Sequence, residues 1–308
     1  NYRYRFLGPL KRLWFAISGA LAIFGLVALI IWRLPLGIDF RGGATWEIKP
    51  SSSISIQVLR EAIGGIEAIG GAQVAAIGGE SYQIKLLPIT NEVHQEISAA
   101  LTAKIGQFEE RQFQLVGPSV SRDLAKKAFL AVVLASILII AYLAYAFRRV
   151  EKPVSSWQFG TIAVVALMHD LLISAGIFAA LARFVNFEVD ASFVTAMLTI
   201  MGFSVHDTIV VFDRVRENLT RQRADQLDNF EAVVDRSLSQ TLNRSLATSL
   251  TVIFTLLALS ILGGESIRAF VVTMLIGITV GTYSSIFTAS PLLVVWQRRS
   301  RRTGHLTE

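Results

Sequence analysis

Residues 201–218, MGFSVHDTIVVFDRVREN, decide how the chain is read. Their first half closes an apolar run that begins at Ala191, and their second half is charged and helix-compatible. His206 and Asp207 stand side by side in the apolar part. An ionisable residue inside a membrane-spanning helix costs a few kcal/mol or more, so it marks a functional site by default. If the run spans a bilayer, Asp207 needs a purpose.

Composition places the run in a membrane protein. Of 308 residues, 53% are hydrophobic and only 17% are charged, against about 25% charged in a soluble domain. Cysteine is absent, which excludes disulfide and thiol chemistry. Apolar runs fall at 13–32, 128–147, 159–182, 191–212, 246–262 and 269–296. Each is close to the roughly 20 residues that cross a hydrocarbon core of about 30 Å. The first run is longer than a signal-peptide core and no small-x-small cleavage site follows it, so it reads as a retained helix. Pro291 is expected to bend or end the last.

Residues 33–127 differ, with frequent charge and no run long enough to span. Strand-like stretches at 44–49, 72–77, 81–89 and 112–116 alternate with helical patterns at 55–63 and 92–108. The order β-α-β-β-α-β suits a split βαβ, ferredoxin-like sandwich with its helices on one face of a small sheet. Glycine pairs at 64–65, 70–71 and 78–79 fall between these elements, where turns are needed. The fold expected is thus a polytopic α-helical membrane protein. It has six transmembrane helices and a small α+β domain between helices 1 and 2. Its parts are 1–32, the domain 33–127, a five-helix bundle 128–296 and a tail 297–308.

The net charge of +6 is a topology signal. The N-terminus, the 148–157 connection, the 213–245 segment and the C-terminus together hold 17 Lys and Arg, whereas the two opposite short connections hold only Arg183 and Arg268. The positive-inside rule puts both termini in the cytoplasm and 33–127 outside it. Nucleic-acid binding is not expected.

Asp207 lies six residues before Asp213, about 9 Å inside the cytoplasmic end of its helix. Arg244 lies near the start of the next apolar run, and consecutive antiparallel spans pack together, so the two are expected at similar depth. A carboxylate that an arginine can approach and leave suits a switchable proton carrier. The structural alternatives are a fixed ion pair and an Arg244 that snorkels to the interface. His206 points about 100° away from Asp207 on a helix, so the two cannot face one partner. The third span repeats the dipeptide as His169-Asp170. A metal site would need three or four converging ligands, so a packed polar network is the better reading, with Asp170 and His206 as secondary candidates. Asp213 with Arg216, and Arg214 with Glu217, are spaced for ion pairs on a solvated helix extension. Small residues in the last span (Gly277, Gly281, Ser284, Ser285) suit close helix packing. No Walker, GxSxG or HExxH motif occurs, and no enzymatic activity, cofactor or metal is expected.

Four stretches together resemble the SecF members of the SecD/SecF family: GIDFRGG at 37–43, VHDTIVVFDRVREN at 205–218, SQTLNRSLATSLT at 239–251 and MLIGITVGTYSSIF at 274–287. The resemblance covers nearly the whole chain. It implies a multi-pass protein of the bacterial inner membrane, related to RND transporters. Such a protein acts with SecD beside the SecYEG translocon and uses the proton motive force to promote export of unfolded secretory proteins. It also implies that Asp207 and Arg244 serve proton flow. The signature residues Gly37, Asp39, Phe40, Gly42 and Gly43 would open the external domain as a hinge. Partners implied are SecD, SecYEG, the chain in transit and membrane lipids. The competing classes are an RND-like exporter of small molecules or lipids and a non-transporting translocon scaffold.

Overall fold

The computed structural model describes residues 4–64, 72–77, 80–148, 156–185, 187–221 and 229–304. The glycine pairs 70–71 and 78–79, and Gly65, lie outside the described residues. The elements in chain order are α1 (Lys11–Ile31), β1 (Gly43–Pro50), α2 (Ile56–Gly64), β2 (Gln73–Ala76), β3 (Tyr82–Leu86), α3 (Asn91–Ile105) and β4 (Phe108–Val116). They are followed by α4 (Pro118–Ala146), α5 (Ser156–Val185), α6 (Ala191–Arg221), α7 (Phe230–Leu262) and α8 (Glu265–Ser284), then a π-helical turn (Ser285–Ala289) and α9 (Ser290–Gly304). Among the described residues six helical stretches are long and apolar enough to cross a membrane. The chain divides into two compact units. One comprises Asn1–Pro35, Ala131–Phe187 and Ser192–Glu308, and the other Leu36–Leu130 and Glu188–Ala191.

The smaller unit is the expected α+β sandwich. Its four strands are antiparallel in the order β2-β3-β1-β4. Alternation along β1 buries Ala44, Trp46 and Ile48, because successive side chains on a strand point to opposite faces. These pack with Ile84 of β3, Leu59 and Ile63 of α2, and Ile97, Leu101 and Ile105 of α3 in one core. One boundary differs from the sequence reading. Helix α3 stops at Ile105 with Gly106 as its cap, and β4 starts at Phe108, four residues earlier than expected. Pairing decides this, since Phe108, Glu109 and Glu110 lie opposite Pro50, Lys49 and Ile48.

The larger unit is a helix bundle. Helices α1 and α5 meet where Gly25 faces Gly176, so closely that a Cβ on Gly176 would fall 2.3 Å from the Gly25 Cα. Helices α4, α6 and α7 run well past the apolar stretches that announced them, α4 starting at Pro118, ten residues ahead of its stretch. Helix α6 continues to Arg221, with Arg216 bonded to Asp213 at 2.6 Å and Arg221 to Glu217 at 2.6 Å; the expected Arg214–Glu217 pair also forms. Helix α7 starts at Phe230, well before residue 246; its first turns are buried on almost every side, with Phe230, Val234 and Leu238 in the bundle core and Glu231 and Asp235 buried beside them. The Asn229 side chain caps it by accepting from the Glu231 N–H.

Pro291 does not end the last span, which runs continuously over Ile267–Ser300. A proline inside an α-helix lacks an N–H and collides with the carbonyl four residues back. The π turn just ahead of it changes the register of the ladder, and the Ser290 hydroxyl donates to the Ser285 carbonyl at 3.0 Å.

Candidate functional site

The bundle is threaded by a polar seam centred on residues 282–285, TYSS, at the end of α8 and the start of the π turn. Adjacent residues on a helix differ by about 100° in direction, so four in a row reach four neighbours. The Thr282 hydroxyl donates to Ser249 of α7 at 2.7 Å. Tyr283 shares a 3.0 Å hydrogen bond with Ser18 of α1. Ser284 donates to Asp170 of α5 at 2.7 Å, and Ser285 donates to Asp207 of α6.

Asp207 is buried, at 5% exposure. Its Oδ1 accepts from the Ser245 hydroxyl of α7 and its Oδ2 from Ser285. Asp170 is wholly buried, at 0% exposure. Its Oδ2 accepts from Ser204 of α6 at 2.6 Å and from Ser284, and its Oδ1 lies 2.9 Å from His169 Nδ1. Each carboxylate thus meets two neutral hydroxyls, which can donate to the ionised acid and accept from the protonated one, and Asp170 meets His169 as well.

The expected approach of Arg244 to Asp207 is not made. Arg244 is exposed, and among the described residues its guanidinium has no hydrogen-bond or ion-pair partner. The reason is angular. Ser245 faces Asp207, and the residue before it on α7 must look elsewhere. His206 is exposed for the same reason, one position from buried Asp207. Among the described residues no three metal-ligating side chains converge.

The signature 37–43 belongs to the smaller unit. The Gly37 N–H donates to the Val189 carbonyl at 2.8 Å, and Asp39 Oδ2 accepts from the Ala191 N–H at 2.9 Å. Residues Ile38–Arg41, including Phe40, form one helical turn. Gly42 and Gly43 leave it with φ of +76° and +144°, values that L side chains rarely adopt, and β1 follows at once.

Sequence reasoning singled out the two carboxylates but not their donors. Ser284 and Ser285 were assigned to packing alone, as were Gly277 and Gly281. The glycines do pack, since Cβ atoms on them would meet Ile200 and Ser204. The serines carry the carboxylates instead. The available signal was chemical: a hydroxyl inside a span seeks a polar partner. A second cluster had no such signal. Buried Asp235 accepts from the backbone N–H groups of Arg5, Phe6 and Leu7 at 2.8–2.9 Å. One turn away, Glu231 accepts from the Gly8 N–H and from Lys11 and Arg298.

Comparison with known proteins adds the family. The profile described as "Protein export membrane protein SecD/SecF, C-terminal" matches residues 96–299. The chain belongs to the SecD/SecF family. Within that family it is similar to SecF subunits. The protein translocase subunit SecF of Thermobaculum terrenum is 42% identical over 296 residues, which cover 92% of both chains. That of Anaerolinea thermophila is 37% identical over 291 residues, covering 93% of this chain and 92% of the other. The crystal structure of SecDF from Thermus thermophilus, described as a translocon-associated membrane protein, superposes with a TM-score of 0.80 at 30% identity. It is matched over 94% of this chain, which spans 38% of that longer one. A SecDF structure in a super-membrane-facing form gives a TM-score of 0.67 at 29% identity, covering 100% of this chain and 40% of the other. This SecF-like chain therefore has the SecD/SecF membrane fold, with its α+β domain between the first two spans.

Proposed function

We propose that this chain is an accessory subunit of the Sec protein-translocation machinery, working with a SecD partner beside the SecYEG channel and drawing on the proton motive force to promote export. The observation that carries the reading is Asp207, a carboxylate buried in a span and held by hydroxyls alone among the described residues. Such a site accommodates the charged and the protonated acid without rebuilding its surroundings. Arg244 stands one position from Ser245, so a movement of α7 that withdraws the serine presents the guanidinium to Asp207. The arginine then favours the ionised acid and drives the proton off. His206 and Asp170 are secondary members of the path.

The bias of Lys and Arg supports termini in the cytoplasm and the α+β domain on the outer face, where it meets unfolded chains in transit. Residues 37–43 are the proposed hinge of that domain. One charge moved through 100 mV is worth about 2.3 kcal/mol, so a few protons suffice to bias a domain movement. The test is Asp207→Asn, assayed for secretion and for assembly with the partner. Secretion is expected to fall while the protein stays assembled in the membrane. Loss of the protein itself overturns the reading in favour of a structural role for Asp207.

A further inference from the structure

Asp170 and Asp207 sit on different helices and share no donor among the described residues, yet their donors are neighbours in sequence. Ser284 serves Asp170 and Ser285 serves Asp207. The arrangement is doubled on α6, where Ser204, the second hydroxyl on Asp170, lies one helical turn before Asp207. Neither carboxylate can change its demand for hydrogen bonds without addressing a residue fixed beside the other's partner.

Ser285 has two acceptors for one hydrogen. Its Oγ also lies 3.1 Å from the Thr282 carbonyl oxygen. With Asp207 ionised, the serine hydrogen goes to the carboxylate. With Asp207 protonated, the acid O–H donates to Ser285 Oγ and the serine hydrogen turns to the Thr282 carbonyl. The bond persists with its direction reversed. Asp207 gains one proton and the serine loses none.

The other site also has room for a proton. His169 Nδ1 lies 2.9 Å from Asp170 Oδ1 and Nε2 lies 3.3 Å from the Ser18 carbonyl oxygen. A carboxylate and a carbonyl are both acceptors, so a neutral ring can donate to only one of them, and a proton added to the pair finds a second acceptor already in place.

The two sites join at the π turn that Ser285 opens, a local geometry found often at functional positions. Little else ionisable surrounds them. Residues 269–297 hold no charged residue or histidine, nor do 13–32 or 128–147. In the remaining apolar runs the other ionisable group is the exposed His206. The first turns of α7 carry the buried Glu231 and Asp235, which are bound to residues 5–8, Lys11 and Arg298, and the exposed Arg236 and Arg244. We propose that Ser284 and Ser285 form a hydroxyl bridge that couples His169–Asp170 to Asp207 as one two-site proton-binding unit. The serines are positioning residues, and the carboxylates and His169 hold the protons.

This inference rests on Asp207 being a proton carrier, and its test does not use secretion. The full chain in liposomes is titrated while the carboxyl C=O stretch is followed by infrared difference spectroscopy. The Asp207 band is assigned by its loss in Asp207→Asn. Asp170→Asn and Ser284→Ala leave every direct partner of Asp207 in place. Each is expected to move the midpoint of the Asp207 band by about 1 pH unit, the size that marks coupled sites. Ser284→Thr, which keeps a hydroxyl, is expected to restore it. Ser204→Ala, which removes a donor from Asp170 alone, asks the same question if Ser284→Ala does not accumulate. An Asp207 midpoint that stays put in Asp170→Asn and in the serine variant overturns the coupling. Shifted midpoints alongside normal secretion by Asp207→Asn would instead sink the export reading and leave the coupling standing.

Discussion

Ser245 of α7 donates its hydroxyl to Asp207 of α6, and Arg244, one residue earlier, does not face that carboxylate. Depth along the helix is thus right for an Asp–Arg pair and azimuth is wrong. The two neighbouring residues should fail differently. Ser245→Ala removes one of the two donors of a buried carboxylate, a loss of about 1–3 kcal/mol when the group is left under-satisfied. Thermal unfolding in detergent should register it. Arg244→Ala breaks no bond among the described residues, so its unfolding temperature should match wild type while secretion falls as it does in Asp207→Asn. Equal loss of stability in both variants would show Arg244 to be part of the packing.

Asp235 makes a second prediction, independent of the proton site. Its carboxylate, at 0% exposure, collects the N–H groups of three successive residues and so fastens residues 5–7 to the start of α7. Asp235→Ala leaves those amides without their acceptor, and buried unsatisfied groups cost about 1–3 kcal/mol each. Asp235→Asn keeps one carbonyl oxygen and should be milder. Limited proteolysis near the N-terminus reads the outcome directly. The alanine variant should be cut fastest and the asparagine variant at an intermediate rate. Wild-type resistance in both would show that residues 5–7 are held by other contacts.

The two cases show what the sequence could and could not carry. Apolar length and the periods of strand and helix are carried by neighbouring residues, so six spans and the sandwich between the first two were legible. Strand β4 was cut short because Phe108–Arg111 have no alternation of their own. They are ordered by β1, some 60 residues away in the chain. Asp170 and Asp207 were legible because charge in an apolar run is expensive. Their serine donors were not, since a hydroxyl costs little anywhere and its direction is set by helix rotation. Asp235 lay in the 213–245 segment, which the sequence reading used only for its Lys and Arg, and its partners are backbone amides about 230 residues distant, which no local pattern announces.

The contact of Gly25 with Gly176 gives the last prediction. A methyl group on Gly176 would sit 2.3 Å from the Gly25 Cα and 2.6 Å from its carbonyl oxygen. Both are backbone atoms, which cannot swing aside as a side chain does. Gly176→Ala therefore forces α1 and α5 apart, and overpacking of this kind costs about 1–3 kcal/mol or more. Because close approach between spans supplies much of the attraction that a hydrophobic drive supplies in water, the separation is not recovered elsewhere. Gly202→Ala is the control, since a Cβ there meets nothing within 4 Å. The expected order of unfolding temperatures in detergent is wild type equal to or slightly below Gly202→Ala, because alanine favours helix over glycine, with Gly176→Ala several degrees lower. A Gly176→Ala protein as stable as the control would mean that α1 and α5 have room to separate at no cost.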